Sequence, residues 1–109
     1  MKILLQLFVE TENIGKAINA LSEGGITGFY LMEYKGMSPQ DWSGFLLDEE
    51  PENALKIIND IARNAVMIGT IVNDKHVGDI KKCIEERLSN ERYTITEVPI
   101  GGLKVNRTD

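Results

Sequence analysis

Few residues of this chain have the types and the spacing that catalysis or metal binding requires. His76 is the only histidine and Cys83 is the only cysteine, whereas a zinc site needs several such ligands at matched spacing. A nucleophilic serine or cysteine needs a base beside it, and the sequence offers no such arrangement. We therefore predict no metal site and no catalytic residue, with His76 exposed at the start of a helix and Cys83 at the edge of the core.

The clustered carboxylates and the glycines also fit structural roles better than chemical ones. The acidic run 48–50 is followed by Glu52, and acidic side chains are favoured at a helix N-terminus by the helix dipole alone. The spacing of the glycines matches neither a phosphate-binding P-loop nor a dinucleotide-binding fingerprint. Neither feature therefore predicts an active site.

A small set of cationic and polar residues is able to hold an anion if the fold brings its members together. The set lies after the second predicted strand, before the last strand and in the C-terminal segment, and comprises Lys35, Gly36, Gln40, Arg92 and Lys104, with Arg107 nearby. Cationic side chains bind carboxylates and phosphates through charge-assisted hydrogen bonds. The alternative is scattered surface charge, which composition alone favours.

The elements that must position these residues read as strand, helix and strand, twice, with an insertion between the two units. The first unit comprises residues 2–10, 12–23 and 26–34, and the second comprises residues 64–73, 75–90 and 92–98. Two units of this size predict an α+β, ferredoxin-like split-βαβ sandwich, in which a four-stranded antiparallel sheet carries two helices on one face. The whole chain, residues 1–109, fits one such domain.

Both faces of the predicted sheet are apolar, although two helices can cover only one of them. The first strand alternates, with Ile3, Leu5, Leu7 and Val9 on the face that the helices should cover. The second face also carries large apolar side chains, among them Leu4, Phe8, Tyr30 and Met32. We expect another copy of the chain to cover this second face. The alternative is that a helix of the insertion folds back over its own sheet.

Local signals predict where several elements begin and end. Thr11 and Asp74 are expected to cap the two helices, and Gly24-Gly25 is expected to end the first one in a left-handed turn. Gly69, inside the third strand, predicts the close approach of another backbone. Leu103–Val105 is a candidate for a short extra strand after Pro99 and Gly101-Gly102.

The insertion, residues 37–63, is long for a connection between strands of a compact domain, and such connections are usually functional. Pro51 is suited to the first turn of a helix, which an apolar stripe of Ala54, Ile57, Ile58 and Ile61 would anchor. Before that helix, three apolar residues form a predicted surface for a partner protein, namely Trp42, Phe45 and Leu46. We expect this surface to stay partly exposed.

Composition narrows the classes of partner. The net charge of −5 and the lack of a basic patch argue against nucleic-acid binding, because phosphates require a positive surface. No stretch approaches the roughly 18 apolar residues of a membrane span, and no export signal is recognisable at the N-terminus. A single cysteine fits a reducing compartment. We therefore expect a cytoplasmic protein.

The chain resembles the PII signal-transduction proteins over nearly its whole length. Residues 31–37, Leu-Met-Glu-Tyr-Lys-Gly-Met, are similar to the T-E-V-K-G-F stretch that leads into the T-loop of that family. Gln40 lies where the family carries a glutamine that helps to hold 2-oxoglutarate and Mg-ATP. Residues 103–106, Leu-Lys-Val-Asn, look like the family's V-R-I-R, in which arginines contact nucleotide phosphates. Lys104 keeps that charge and Asn106 loses it.

The resemblance implies a non-enzymatic homotrimer in nitrogen regulation, with a small anionic effector in clefts between subunits and a target protein at the T-loop. An adenine nucleotide is the cofactor it suggests. The chain departs from the family because the glycine-rich B-loop before the last strand is missing, so that Arg92 alone stands near that loop's lysine. Residues 37–63 replace the long T-loop with its modifiable tyrosine. The alternatives are a CutA-type metal-tolerance protein and an ACT-like small-molecule-binding module.

Overall fold

The computed structural model describes residues 1–39, 41, 42, 44 and 46–107, which form one four-stranded sheet with three α-helices. In chain order the elements are β1 (Lys2–Glu10), α1 (Ile14–Glu23), β2 (Tyr30–Gly36), α2 (Pro51–Ile61), β3 (Arg63–Asn73), α3 (Asp74–Arg87) and β4 (Tyr93–Ile100). The strands are antiparallel and lie in the order β2-β3-β1-β4. This order confirms the predicted ferredoxin-like fold. No helix within the described ranges is long and apolar enough to cross a membrane.

The core lies between one face of the sheet and the pair α1 and α3. The inward residues of β1 are those that the alternation predicts, and those of β3 are Val66, Ile68 and Val72. Both helices contribute an apolar stripe, including Ala17 and Leu21 from α1 and Ile80, Ile84 and Leu88 from α3 and its end. The two helices also pack against each other. Burial of these apolar side chains is the main stabilising term of the fold.

The opposite face of the sheet, which we call the open face, has no helix over it. Strand pairing brings Met32, Met67 and Phe8 into one row across β2, β3 and β1. Tyr30 and Met32 remain 45% and 57% exposed. The open face also carries Leu4, Ile71 and Val98 in its next rows. An apolar face of this kind is therefore present as predicted.

The insertion contains the expected helix, but this helix does not cover the sheet. Pro51 occupies the first turn of α2, and the Glu50 side chain accepts a hydrogen bond from the Asn53 backbone N–H at 3.0 Å. No residue of α2 is buried, and α2 makes at most a few contacts with any other element. The alternative in which the insertion helix folds back over its own sheet is therefore wrong.

Both predicted N-caps are wrong by one or two residues. Thr11 opens a short 3-10 turn, Thr11–Asn13, and α1 starts only at Ile14. The cap of α3 is Asn73, whose side-chain oxygen accepts a hydrogen bond from the Lys75 N–H at 3.1 Å. Asp74 is already the first helical residue. The prediction fails here because Asn73, one position earlier, is an equally favoured capping residue.

Helix α1 ends where the Gly24-Gly25 pair predicts. Gly25 has a φ of 87°, and its N–H donates to the Ser22 carbonyl at 3.0 Å while the Ile26 N–H donates to the Leu21 carbonyl at 3.3 Å. These two bonds define a Schellman motif. The predicted left-handed stop is therefore confirmed.

Three predictions about the edge strand β2 and the C-terminus need correction. The strand starts at Tyr30 instead of residue 26, and before it the Gly28 carbonyl accepts a hydrogen bond from the Thr70 hydroxyl at 2.6 Å. A side chain, not a backbone, approaches Gly69: a Cβ there would overlap the ring of Tyr30. Leu103–Val105 forms no strand and is exposed.

Candidate functional site

Among the described residues, a small pocket that contains two arginines lies at the end of the sheet where β2 stops and β3 and β4 start. We call it the end pocket. Gly36 and Arg63 face each other as the last pair of the β2–β3 ladder, and Arg92 immediately precedes β4. The full lining is Phe8, Val9, Glu10, Tyr34, Gly36, Ser38, Arg63, Ala65 and Arg92. The end pocket thus joins three strands to the first residues of the insertion.

Two arginines dominate the charge of the end pocket, and each is paired with a carboxylate. Arg63 Nη1 donates to Glu10 Oε1 at 2.8 Å. Arg92 Nη2 donates to Oδ2 of Asp41, a residue of the insertion. About half of each arginine side chain is exposed, and ion pairs in such settings stabilise a fold weakly. Both guanidinium groups are therefore available to exchange their present partners for other anions.

A polar network around the buried Asn13 holds the loop that carries Arg92. Asn13 is only 5% exposed, and its amide donates to one carboxylate oxygen of Glu91 at 3.1 Å while Lys16 donates to the other at 3.1 Å. These two contacts lower the pKa of Glu91, with the Lys16 hydrogen bond the larger cause. The Glu91 N–H also donates to the Leu88 carbonyl at 3.0 Å. Arg92 therefore follows a residue that is held on both its backbone and its side chain.

An aromatic pair forms one wall of the end pocket. The rings of Phe8 and Tyr34 meet edge to face, with centroids 6.1 Å apart and planes at 80°. Burial raises the pKa of the Tyr34 hydroxyl, so this group stays protonated at neutral pH and is able both to donate and to accept a hydrogen bond.

A second, apolar pocket adjoins the end pocket on the open face. It has a free volume of about 200 Å³ and shares Phe8, Tyr34 and Ser38 with the end pocket. Its other walls are Met37 and Pro39 of the insertion and two threonines of β4, Thr94 and Thr96. The start of the insertion therefore covers part of the open face at this one point.

The structure brings together some of the residues predicted to bind an anion and separates others. Gly36 and Arg92 line the end pocket, whereas Lys35 is exposed beside a different depression with Glu33 and Asn64. Lys104 follows the far end of β4. The seven steps from Tyr93 to Ile100 span about 24 Å at 3.4 Å each, so Lys104 and Arg92 of one chain do not share a cleft.

The predicted partner surface is exposed at the two of its residues that the structure describes. Trp42 is 43% exposed and Leu46 is 94% exposed, while Gln40 and Phe45 lie outside the described residues. His76 lines a depression at the other end of the sheet, and Cys83 is half-buried on α3. In the part of the chain that the structure describes, no group of three or more His, Cys, Asp or Glu side chains is arranged to hold a metal ion.

Sequence reasoning missed Arg63, Glu10 and Asp41 as members of the site. A signal for Arg63 was present, because the two ends of an insertion between neighbouring antiparallel strands must lie side by side. Gly36 was identified at one end of the insertion, and its partner at the other end is Arg63. Asp41 had no comparable signal, since its pairing with Arg92 depends on the path of an irregular segment.

Comparison with known proteins gives closely related sequences. An uncharacterised protein of Methanocaldococcus jannaschii is 66% identical over 106 residues, which cover 97% of this chain and 98% of that protein. A second uncharacterised protein of the same organism is 40% identical over 108 residues, covering 97% of this chain and 96% of that protein. An uncharacterised protein of Methanococcus maripaludis is 59% identical over 106 residues and covers 97% of each.

Solved structures share the fold at low sequence identity. CPII, a nitrogen regulatory PII-like protein from Thiomonas intermedia K12, matches with a TM-score of 0.67 and 13% identity, covering 95% of this chain and 96% of that one; its structure has ADP, AMP and bicarbonate bound. A DUF3240 family protein from Shewanella baltica OS155 matches with a TM-score of 0.70 and 12% identity, covering 97% of each chain. Residues 1–107 match the family described as "uncharacterized protein, homolog of nitrogen regulatory protein PII". The chain therefore belongs to this family of PII homologues.

Proposed function

We propose that the protein is a regulatory, non-enzymatic homotrimer of the cytoplasm that binds a small anionic effector at the end pocket. The observation that carries this proposal is the joining of two arginines, Arg63 and Arg92, to the first residues of the insertion in one pocket. An effector bound there contacts the start of the insertion, which carries the exposed apolar residues Trp42 and Leu46. The function is thus to relay the presence of the effector to residues 37–63.

The open face supports the assembly into a trimer. It exposes large apolar side chains such as Tyr30 and Met32, and α2 leaves it uncovered. Apolar faces of this kind usually mark contacts between proteins, and a second copy of the same chain is the simplest partner. In a trimer the effector cleft lies between subunits, and a neighbouring subunit supplies Lys104 to the end pocket.

Family membership and the solved relatives support the choice of ligand class. CPII binds ADP, AMP and bicarbonate, all of which are anions. The two arginines of the end pocket suit carboxylate or phosphate groups because the planar guanidinium binds both through paired hydrogen bonds. An adenine nucleotide is one candidate, and bicarbonate or a 2-oxo acid is another.

The assembly is tested by light scattering, which we expect to give about three times the chain mass of 12.2 kDa. Met32→Asp should reduce the mass to that of a single chain, because it buries an unpaired charge in the contact. The matched control is Leu55→Asp, which changes an equally exposed apolar residue of α2 and should leave the mass unchanged. A single-chain mass for the unmodified protein contradicts the trimer.

The effector site is tested by calorimetry with ADP, AMP, bicarbonate and 2-oxo acids. We expect Lys104→Ala to weaken binding by about 1–3 kcal/mol, since its ammonium group pairs with a partly desolvated anion. Lys75→Ala, at an exposed lysine of α3, is the control and should bind like the unmodified protein. The absence of heat with every ligand at millimolar concentration contradicts effector binding, and unchanged binding by Lys104→Ala contradicts the role of the neighbouring subunit.

A further inference from the structure

The carboxylate that pairs with Arg92 comes from the insertion itself. Asp41 lies in the connection between β2 and α2, 51 residues away from Arg92 in the chain. Its partner arginine lines the end pocket, whereas Asp41 reaches that arginine from outside the sheet. The insertion therefore places one of its own anions on the arginine that an effector would use.

The end pocket is narrow in this state. Its free volume is about 20 Å³, which is room for roughly one water molecule, so a carboxylate or phosphate group does not fit inside it beside the existing pairs. About half of the Arg92 side chain is exposed, but an anion that binds Nη2 of Arg92 competes with Asp41, which already occupies that group.

The charges of the end pocket are balanced only while Asp41 is present. Arg63 and Arg92 are matched by Glu10 and Asp41, so that the net charge of the four groups is zero. Departure of Asp41 leaves one uncompensated positive charge, which favours an incoming anion. Because exposed ion pairs are weak, this exchange is energetically accessible.

Departure of Asp41 also changes the segment around it. The Asp41 N–H donates to the Ser38 carbonyl at 3.1 Å, and Ser38 lines both the end pocket and the apolar pocket. Met37 and Pro39 close the apolar pocket from the same side. Trp42 is the next residue after Asp41. A movement of Asp41 is therefore transmitted to the residues that cover the open face and to the exposed tryptophan.

We propose that Asp41 is an internal competitor for the anion site at Arg92, and that a carboxylate or phosphate displaces it and releases the start of the insertion. This inference rests on the proposed function, because it states how the effector site is linked to the exposed segment. The ligand is then a small molecule whose carboxylate or phosphate group takes the place of the Asp41 carboxylate at Arg92.

The first test needs no ligand. Trp42 is the only tryptophan, so that acrylamide quenching of fluorescence reports on this segment. Asp41→Asn and Arg92→Gln break the same pair from opposite sides, and both should increase quenching. The double variant should add nothing further, since the two changes remove one shared interaction. Glu49→Gln, which removes an exposed carboxylate that forms neither arginine pair, should leave quenching unchanged.

The second test uses inorganic phosphate and acetate as probes in separate titrations, with sodium chloride at equal ionic strength as the reference. Either probe should move the Trp42 signal of the unmodified protein toward that of Asp41→Asn, and the more effective probe identifies the preferred chemistry. Asp41→Asn should bind that probe about two- to fivefold more tightly, the range set by measured free energies of exposed ion pairs. Binding by Asp41→Asn alone also supports the proposal.

Two results overturn the proposal. One is a Trp42 signal that is the same in Asp41→Asn, Arg92→Gln and the unmodified protein. The other is weaker anion binding by Asp41→Asn, which would make Asp41 a support of the site instead of a competitor. Either result leaves the proposed function standing if calorimetry still detects an effector. Conversely, tighter binding of phosphate or acetate by Asp41→Asn, in a protein that binds none of the calorimetric ligands, supports the internal competition while it contradicts the choice of effector in the proposed function.

Discussion

Helices α2 and α3 have similar sequence patterns but differ in how deeply they are buried. Each has an apolar stripe at helical spacing and a side-chain cap at its N-terminus. The stripe of α3 is buried against the sheet, whereas no residue of α2 is buried. The pattern of a sequence therefore predicts that a helix forms, but it does not predict which surface the helix meets. Within the described residues, no surface buries any residue of α2.

The largest expected effect is on the free energy of unfolding, and it should differ between the apolar stripes of α3 and α2. Ile84→Ala should lower the free energy of unfolding by about 2–5 kcal/mol, because it leaves a cavity in the core. Ile57→Ala, the same substitution in α2, should cost less than about 1 kcal/mol, as expected at a partly exposed position. Urea unfolding of both variants measures the difference. An equal cost at Ile57 would show that another copy of the chain or another segment covers α2.

The fold was predictable because its signals are local and agree with one another. Alternation in β1 identifies the core face correctly, and the Gly24-Gly25 pair identifies the end of α1. The errors concern details that depend on neighbours in space. The Thr70 hydroxyl donates to the Gly28 carbonyl just before β2, and the Tyr30 ring occupies the space above Gly69. Neither contact has a signature in the sequence near the residue that it affects.

The candidate site was less predictable than the fold for the same reason. Arg92 and Gly36 were identified, but Arg63, Glu10 and Asp41 join them only through strand pairing and the path of the insertion. Lys104 is predicted to lie in a cleft between subunits, and within one chain β4 separates it from Arg92. A site made from strand ends requires the strand order. A site completed by a neighbouring subunit also requires the symmetry of the assembly.

An intermediate effect on stability is expected from removing the side-chain caps of α3 and α2. Asn73→Ala removes the bond to the Lys75 N–H and should lower the free energy of unfolding by about 1 kcal/mol, because α3 is part of the core. Glu50→Ala removes the equivalent bond to the Asn53 N–H. Since α2 packs weakly, this change should increase amide hydrogen exchange within α2 and leave global unfolding almost unchanged. Hydrogen-exchange mass spectrometry with urea unfolding distinguishes the two outcomes.

A loss of global stability in Glu50→Ala as large as that in Asn73→Ala would contradict the comparison. It would mean that α2 unfolds together with the core, and therefore that it is tied to the core in the assembled protein. The two cap variants and the two isoleucine variants thus test the same difference in stability between α2 and α3. The cap variants test it through a backbone hydrogen bond, and the isoleucine variants test it through side-chain packing.

The smallest expected effect concerns the network that joins α1 to the loop before β4. Lys16 and Asn13 lower the pKa of Glu91 below its ordinary value of 4.5. A carboxylate with a lowered pKa in the folded state contributes stability that is fully present above its ordinary pKa and is lost as the pH falls through the lowered value. Glu91→Gln should therefore be less stable than the unmodified protein at neutral pH, and the gap should close as the pH falls below 4.5.

Thermal unfolding of both proteins as a function of pH measures this gap. Glu86→Gln, at an exposed carboxylate of α3, is the control and should show no such convergence. A gap that persists in acid would mean that the network acts through the shape of Glu91 and not through its charge. Because Glu91 also holds the loop that carries Arg92, the same variant should weaken anion binding at neutral pH even where its loss of stability is small. That combination would show that the contacts between the start of α1 and the loop after α3 support the end pocket as well as the fold.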